Sequence, residues 1–236
     1  VKSIRVRGDI GQNFYEEETL LQQMQLKEKE LFKHIYLIQD IEMLVNKYGD
    51  LGYAYVDVNP IMNPHPKTGE IDLIYEITKG QKVYFGDINI IGNDKTRDNV
   101  IRRELKIADG ELYSGSSLSK SKENITRLGF FEEAQVQKNR SKEANLLDIK
   151  FKVKEKSTGH FQAALGFSPS GETKASWFGQ TGYDEKNQSG KGWATTFNAR
   201  WSASSDYMIG LSFLEPKVND SPWSIGVGGS YGAQVS

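Results

Sequence analysis

The stretch from Lys150 to Phe167 joins two alternations that need different solvents. Lys150-Phe151-Lys152-Val153-Lys154-Glu155-Lys156 alternates charged with apolar residues, the pattern of a strand with one face on a core and one in water. From Phe161 onward, Phe161, Ala163, Leu165 and Phe167 alternate with Gln162, Ala164 and Gly166, and no charge follows His160. Gly159 marks the hinge between the two. The reading is soluble domains before the junction and membrane barrel after it. Charge density agrees: of 61 Lys, Arg, Asp and Glu residues, 11 lie in the 80 residues from Ser157 and 50 in the 156 before them. The overall balance is −1, so no global basic field points to a nucleic-acid partner. Cysteine is absent, which excludes a disulfide framework and any thiolate site. No run of about 18 apolar residues occurs, which excludes a spanning helix but not a spanning barrel. Val1 falls inside a strand-like stretch, so a piece of a longer chain is expected.

The first 156 residues contain one unit twice. Leu20, Met24, Leu26, Leu31 and Phe32 recur 81 positions later as Ile101, Leu105, Ile107, Leu112 and Tyr113. Leu51-Gly52-Tyr53 recurs as Leu128-Gly129-Phe130, and Ile71-Asp72-Leu73 as Leu147-Asp148-Ile149. Repetition on this scale means two copies of one small domain. Each copy reads as a strand (Val1–Val6; Lys82–Ile91), a short helix (Thr19–Gln25; Arg97–Leu105, with Thr96 as cap) and a longer helix (Leu31–Tyr48; Ser117–Leu128). Leu37, Ile38, Ile41, Leu44, Val45 and Tyr48 form the apolar stripe of the longer helix. Two strands close each unit: Ala54–Asn59 with Glu70–Thr78, and Glu133–Lys138 with Leu147–Lys154. The order is β-α-α-β-β, a three-stranded sheet with two helices.

After the junction the period is two. Trp193, Thr195, Phe197, Ala199 and Trp201 share one face; Tyr207, Ile209, Leu211 and Phe213, then Trp223, Ile225, Val227, Gly229 and Tyr231, repeat the pattern. Segments of about ten residues with aromatics near their ends suit a tilted strand crossing a bilayer. Turn-rich stretches separate them at Ser168–Gly171, Asp184–Gly192, Ala203–Asp206 and Glu215–Pro222, and Arg200 is expected to point into the lumen. With Thr173–Tyr183, whose alternation blurs at Trp177-Phe178, the strands number five, too few to close a barrel.

The second unit resembles the last POTRA (polypeptide-transport-associated) domain of BamA-like outer-membrane protein insertases. Gly92-Asn93-Asp94, Val100-Ile101-Arg102-Arg103-Glu104-Leu105, Gly110, Tyr113, Leu118, Leu128-Gly129-Phe130-Phe131 and Val153-Lys154-Glu155 carry the resemblance, and Thr158-Gly159-His160-Phe161 resembles that family's lead-in to its first barrel strand. The resemblance implies an α+β chain: a penultimate POTRA domain over residues 1–80, a last one over 81–157, and the first antiparallel strands of an incomplete transmembrane β-barrel over 158–236. Two turns depart from the family pattern. Asn187-Gln188-Ser189-Gly190-Lys191-Gly192 stands where an aromatic or leucine usually precedes Gly-Thr-Gly, and Glu215-Pro216-Lys217-Val218 where Asp/Asn-Pro-Tyr-Phe is usual.

No catalytic constellation is legible. His34, His65 and His160 lie in different elements, and Gly190-Lys191-Gly192 lacks the upstream glycine and trailing hydroxyl of a phosphate loop. No cofactor is implied and no enzymatic activity is expected. Arg102, Arg103 and Glu104 read as polar positions on the exposed side of a short helix; the resemblance implies that Glu104, with the two arginines, docks a periplasmic assembly lipoprotein. Gly129 reads as a helix stop and Phe130-Phe131 as aromatics under the sheet. Phe161, Gln162, Ala163, Ala164, Leu165, Gly166 and Phe167 form the first strand at the barrel seam, where free backbone groups accept a further strand. In the resembled family this strand is the lateral gate. The expected partners are unfolded outer-membrane proteins, assembly lipoproteins and outer-membrane lipid, with the barrel in the outer membrane and the POTRA domains in the periplasm. The alternative is a two-partner polypeptide exporter, which also joins POTRA domains to a barrel.

Overall fold

A computed structural model describes residues 1–11, 15–143, 145–168, 176–203 and 206–233. Pro169 and Lys174 lie outside the described residues. The chain forms two compact units, one from residues 1–89, 106–122 and 136–150, the other from 90–105, 123–135 and 151–236. Residues of the second repeat fall in both.

The repeat order is as read: β1 (Ser3–Gly8), α1 (Glu17–Gln23), α2 (His34–Gly49), β2 (Asp57–His65) and β3 (Glu70–Thr78), then β4 (Tyr84–Ile91), α3 (Asp98–Arg102), α4 (Gly115–Arg127), β5 (Phe131–Arg140) and β6 (Leu146–Glu155). Sheet orders are β1-β3-β2 and β4-β6-β5, so the last strand of each repeat takes the middle position. β1 runs parallel to β3, and β2 antiparallel to it. Pro60 and Pro64 lie inside β2, opposite Tyr75 and Ile71, so this strand runs well past Asn59. It is an edge strand, where a residue without an N–H takes nothing from the ladder.

The core of the first repeat holds Leu20, Met24, Leu26, Leu37, Leu44, Tyr48, Leu73, Tyr75 and Ile77. Within α2 the buried face is Leu37, Asp40, Leu44 and Tyr48. Ile38, assigned to that stripe from its spacing, is exposed. Asp40, 1% exposed, is a carboxylate in the core. It accepts from the backbone N–H of Gln25 at 2.5 Å and of Leu26 at 3.1 Å, and from the Tyr75 hydroxyl at 3.1 Å. Burial, followed by the Asp40 charge, raises the Tyr75 phenol well above its ordinary range. The second repeat keeps the device in smaller form. Ser121, 81 positions after Asp40, accepts from the N–H of Lys106, 81 after Gln25, at 2.8 Å. Phe151, the counterpart of Tyr75, has no hydroxyl to place.

The first unit also holds a clamp between repeats. Asp50, just past α2, accepts from the Ser114 hydroxyl at 2.8 Å, and from the Ser116 N–H at 2.9 Å and hydroxyl at 2.5 Å. A carboxylate from one repeat thus caps the first turn of the other's long helix. Beside it the Gly52 carbonyl accepts from the Val83 N–H at 2.9 Å. Burial pushes the Asp50 pKa up, but the bonds from the Ser116 hydroxyl and N–H and the Ser114 hydroxyl, with the charge of Lys120, hold it below the usual aspartate range.

In the second unit, β7 (Gly159–Ser168), β8 (Ser176–Gln188), β9 (Trp193–Ser202), β10 (Tyr207–Glu215) and β11 (Ile225–Ala233) form one antiparallel sheet in chain order. Gly159 is no hinge: it opens β7, opposite Glu185, and the break falls at residues 156–158. The register puts Phe161, Leu165 and Phe167 on the face of Tyr183, Gly179 and Trp177, continuing into Phe197, Trp201, Leu211 and Tyr207. Gln162 and Ala164 share the other face with Gln180, Asn198 and Arg200. β8 extends through Asp184–Gln188, where charge alone read as turn. It keeps pairing across an irregularity between Glu185 and Gln188, with Gln188 opposite Trp193.

Two outcomes are expected. Asp40→Ala leaves three donors, two of them buried, without an acceptor and costs about 3 kcal/mol, against about 1 kcal/mol for Ser121→Ala, which orphans one. Amide exchange should quicken at Gln25 and Leu26 in the first variant and at Lys106 in the second. The Asp50 clamp carries a depressed carboxyl, so its contribution is complete above the ordinary aspartate value of about 3.9 and disappears as pH falls through the lower native value. Protection of the Ser116 amide should fall across that acid window, and Asp50→Asn should abolish the dependence.

Candidate functional site

The five-residue helix α3 and the loop before it form the densest polar cluster of the second unit. The loop is set by Glu155 at the end of β6, which accepts from the N–H groups of Lys95 at 2.9 Å and Thr96 at 2.7 Å. Burial raises the Glu155 pKa, but the Thr96 hydroxyl and N–H, the Lys95 N–H and the Lys95 charge bring it below the ordinary glutamate range. Thr96 does not cap the helix. Arg97 holds that position, without a side-chain bond, and Thr96 is buried. The Thr96 hydroxyl accepts from Asn187 Nδ2 at 2.8 Å.

Asn187 is the last residue but one of β8 and opens the first of the two stretches that depart from the family pattern. Its Oδ1 accepts from the Gly192 N–H at 2.8 Å, closing the loop on itself. The Gly190 carbonyl accepts from the Arg97 N–H at 2.9 Å. Gly190 has φ +70°, and a Cβ there would lie 1.9 Å from the Lys95 carbonyl oxygen, so only glycine fits. The second departing turn, after β10, meets the other end of α3. Lys217 Nζ sits 2.6 Å from Glu104 Oε1, and Arg103 Nη1 lies 3.3 Å from Asp220 Oδ1 and 3.4 Å from the Lys217 carbonyl.

These contacts correct the reading of Arg102-Arg103-Glu104 as one exposed charge run. Arg102 is half exposed and pairs with Asp98 at 2.7 Å. The side chains of Arg103 and Glu104 are only 9% and 12% exposed, covered by residues more than a hundred positions later in the chain. Arg103 Nε, buried, lies 4.0 Å from Glu104 Oε1. The Glu104 carbonyl accepts from Asn124 Nδ2 at 2.9 Å, fixing the end of α3 to α4. Gly129 has φ +74° just past α4, as read, and Phe130 and Phe131 are buried with their rings 6.2 Å apart, Phe131 opening β5 itself.

The second candidate is β7. It pairs with β8 along its whole length, Gly159 opposite Glu185 through Ser168 opposite Ser176. The strand before it, β6, belongs to another sheet, so among the described residues its other edge carries no strand. Phe161, Leu165 and Phe167 are exposed, as are Gln162, Ala163 and Ala164. Gly166 faces Phe178: a Cβ on it would lie 2.4 Å from that ring, and the Arg200 guanidinium lies 4.6 Å from the ring's centre. Phe178 therefore occupies the polar face by covering a glycine, which is why the alternation blurs there.

Paired β-α-α-β-β units ahead of an open antiparallel sheet with one apolar face define a class of protein in which water-facing domains precede membrane-crossing strands. Residues 1–80 and 83–156 each match the POTRA profile, described as surface antigen variable number repeat, and the chain belongs to that family. It is BamA-like. It is 33% identical over 224 residues to the outer membrane protein assembly factor BamA of Nitratidesulfovibrio vulgaris, covering 93% of this chain and 28% of that one. It is 34% identical over 123 residues to that of Neisseria meningitidis serogroup B, covering 52% of this chain and 15% of that one. The crystal structure of BamA from Haemophilus ducreyi lacking POTRA domains 1–3 matches with a TM-score of 0.79 at 25% identity, over 98% of this chain and 42% of that one. The chain thus spans less than a third of the length of these curated relatives.

Removing one partner from a largely desolvated pair costs about 2–5 kcal/mol. Glu104→Lys should therefore release the turn after β10 from α3, and Lys217→Glu should do the same. The double exchange should restore it. Exchange of the Arg103 and Glu104 amides, fast in each single variant and slow in the double, checks the pairing.

Proposed function

We propose that this chain is the junction of an outer-membrane protein insertase, joining two periplasmic POTRA domains to the first strands of a barrel that receives unfolded outer-membrane proteins. The observation that supports it most is the free edge of β7, in a sheet whose register gives one continuous apolar face. In hydrocarbon an unpaired backbone group costs several kcal/mol, so such an edge draws any strand that completes its ladder. Phe161 to Phe167 then act as template and lateral gate, and a client strand adds by main-chain bonds alone. The work comes from client folding and membrane burial, without covalent chemistry or a cofactor. The names of the relatives, assembly factors rather than exporters, favour this over passage of an unfolded chain through a pore.

Assembly lipoproteins and outer-membrane lipid complete the set of partners on this reading. Because Arg103 and Glu104 are engaged by the turn after β10, lipoprotein docking at α3 falls to its open side, where Arg102 and Asp98 are exposed. Glu104 then contributes by holding α3 in place.

Single cysteines at Gln162 or Ala164 should crosslink to the terminal strand of a client trapped during insertion. Cysteines at Thr196 or Asn198, on β9 in the interior of the sheet, should not. Equal crosslinking at both places means that the client does not add to β7.

A further inference from the structure

The Gly159 end of β7 is held by more than its ladder. Glu185, directly opposite Gly159, carries three donors on its carboxylate. Oε1 accepts from the hydroxyl of Thr158, the residue before the strand, and from the Asn187 N–H at 2.8 Å. Oε2 accepts from the Tyr183 hydroxyl at 3.3 Å. A Cβ on Gly159 would lie 2.6 Å from that hydroxyl and 3.2 Å from Glu185 Oε2, so the pair lies across a residue that must lack a side chain. Just upstream, the Lys156 N–H donates to the Phe130 carbonyl at 3.0 Å, which fixes the other side of the break at 156–158.

A carboxylate is out of place where Glu185 stands. Its row across the sheet runs through Thr195, Phe213 and Val227, on the apolar face. A charge on such a face costs free energy unless hydrogen bonds satisfy it. What it holds is a strand with little else to fix its position. β7 has a strict period of two, so a slip of two residues along β8 keeps every side chain on its own face and loses only the end pairs of the ladder. Among the described residues no strand lies on its outer side to oppose such a slip. Phe178 over Gly166 is a second stop at the far end, but the contact is made by the end of a ring, which can turn aside.

We infer that Glu185 is a positioning residue for the template strand: bound to Thr158 and lying over Gly159, it sets the register in which β7 meets β8. A slip of two residues brings either Phe161 or Ser157 opposite the carboxylate, and carries the Thr158 hydroxyl about 7 Å out of reach. A strand that adds to the outer edge of β7 inherits this register, so its alignment with the rest of the sheet is decided at Glu185. The inference rests on the insertase reading for what the strand is positioned to do; the register itself is measured without a client.

The test is disulfide closure in the full-length protein in its membrane, with Thr181→Cys as the fixed partner. Ala163 stands opposite Thr181, and Phe161 and Leu165 come opposite it only after a slip of two residues. A disulfide needs β-carbons about 3.5–4.5 Å apart, whereas diagonal neighbours lie at about 7–8 Å. With Glu185 in place, Ala163→Cys should close and Phe161→Cys and Leu165→Cys should not. In Glu185→Ala one slipped pair should close about tenfold more, the loss expected for a hydrogen bond to a charged acceptor. Thr158→Val, which removes the donor alone, should slip in the same way. Glu185→Gln keeps an acceptor for Thr158 and Asn187 and should keep the native pattern. Closure of the Ala163 pair alone in both Glu185→Ala and Thr158→Val overturns the inference, because the ladder and Phe178 then set the register. Slipping in Glu185→Gln as well overturns it too, since the charge and not the bonds is then the cause. Should no pair close in Glu185→Ala, Thr158→Val decides. The client crosslinks from Gln162 and Ala164 test the insertase reading separately, so either can fail while the other stands.

Discussion

Every peptide group in a membrane-crossing strand must find its partner within the protein, and this requirement governs the last third of the chain. The five strands from β7 to β11 make four seams, and all four are laddered in register. The ladder dictates which side chains share a face, so the apolar stripe from Phe161 through Tyr183, Phe197 and Leu211 follows from backbone pairing. It also makes the outer edges of β7 and β11, among the described residues, the places where that requirement is passed to something else. An edge exposed to water would be blunted by charge or proline; Phe161 to Phe167 carry neither.

The repeats show how one backbone accepts two chemistries at the same point. Asp40, beside Tyr75, accepts from two N–H groups that follow the first helix of its repeat, and Ser121, beside no such phenol, accepts from one. The pair changes together because a phenol without the carboxylate would be buried without an acceptor, and a carboxylate without the phenol would lose one of its three donors. Ser121 needs less, since its hydroxyl accepts from one N–H and donates its proton to the Ser117 carbonyl.

The order of elements was legible in the sequence because it rests on local periodicity and turn chemistry. The stripe of α2, the glycine stops and the period-two faces each depend on residues a few positions apart. What was not legible depends on distant residues. Arg103 and Glu104 look like a solvated charge run until Lys217 and Asp220 arrive to cover them. Local sequence ends β2 at Asn59, before Pro60, because nothing nearby marks it as an edge strand. Thr96 was assigned to a cap because its role is set by Glu155 and Asn187, 59 and 91 positions away. The edge strand itself was legible, since being first in a sheet is a matter of chain order.

The two turns that depart from the family pattern are the two that grip α3. Here the hold is directional. Asn187 donates to Thr96, the Gly190 carbonyl accepts from Arg97, and Lys217 and Asp220 pair with Glu104 and Arg103. Gly190 adds a steric condition, because the turn approaches the Lys95 carbonyl too closely for any side chain. Hydrogen bonds and desolvated ion pairs weaken steeply with small displacements, so these contacts are kept or lost together. A short helix held at both ends by the turns of the membrane sheet moves with that sheet.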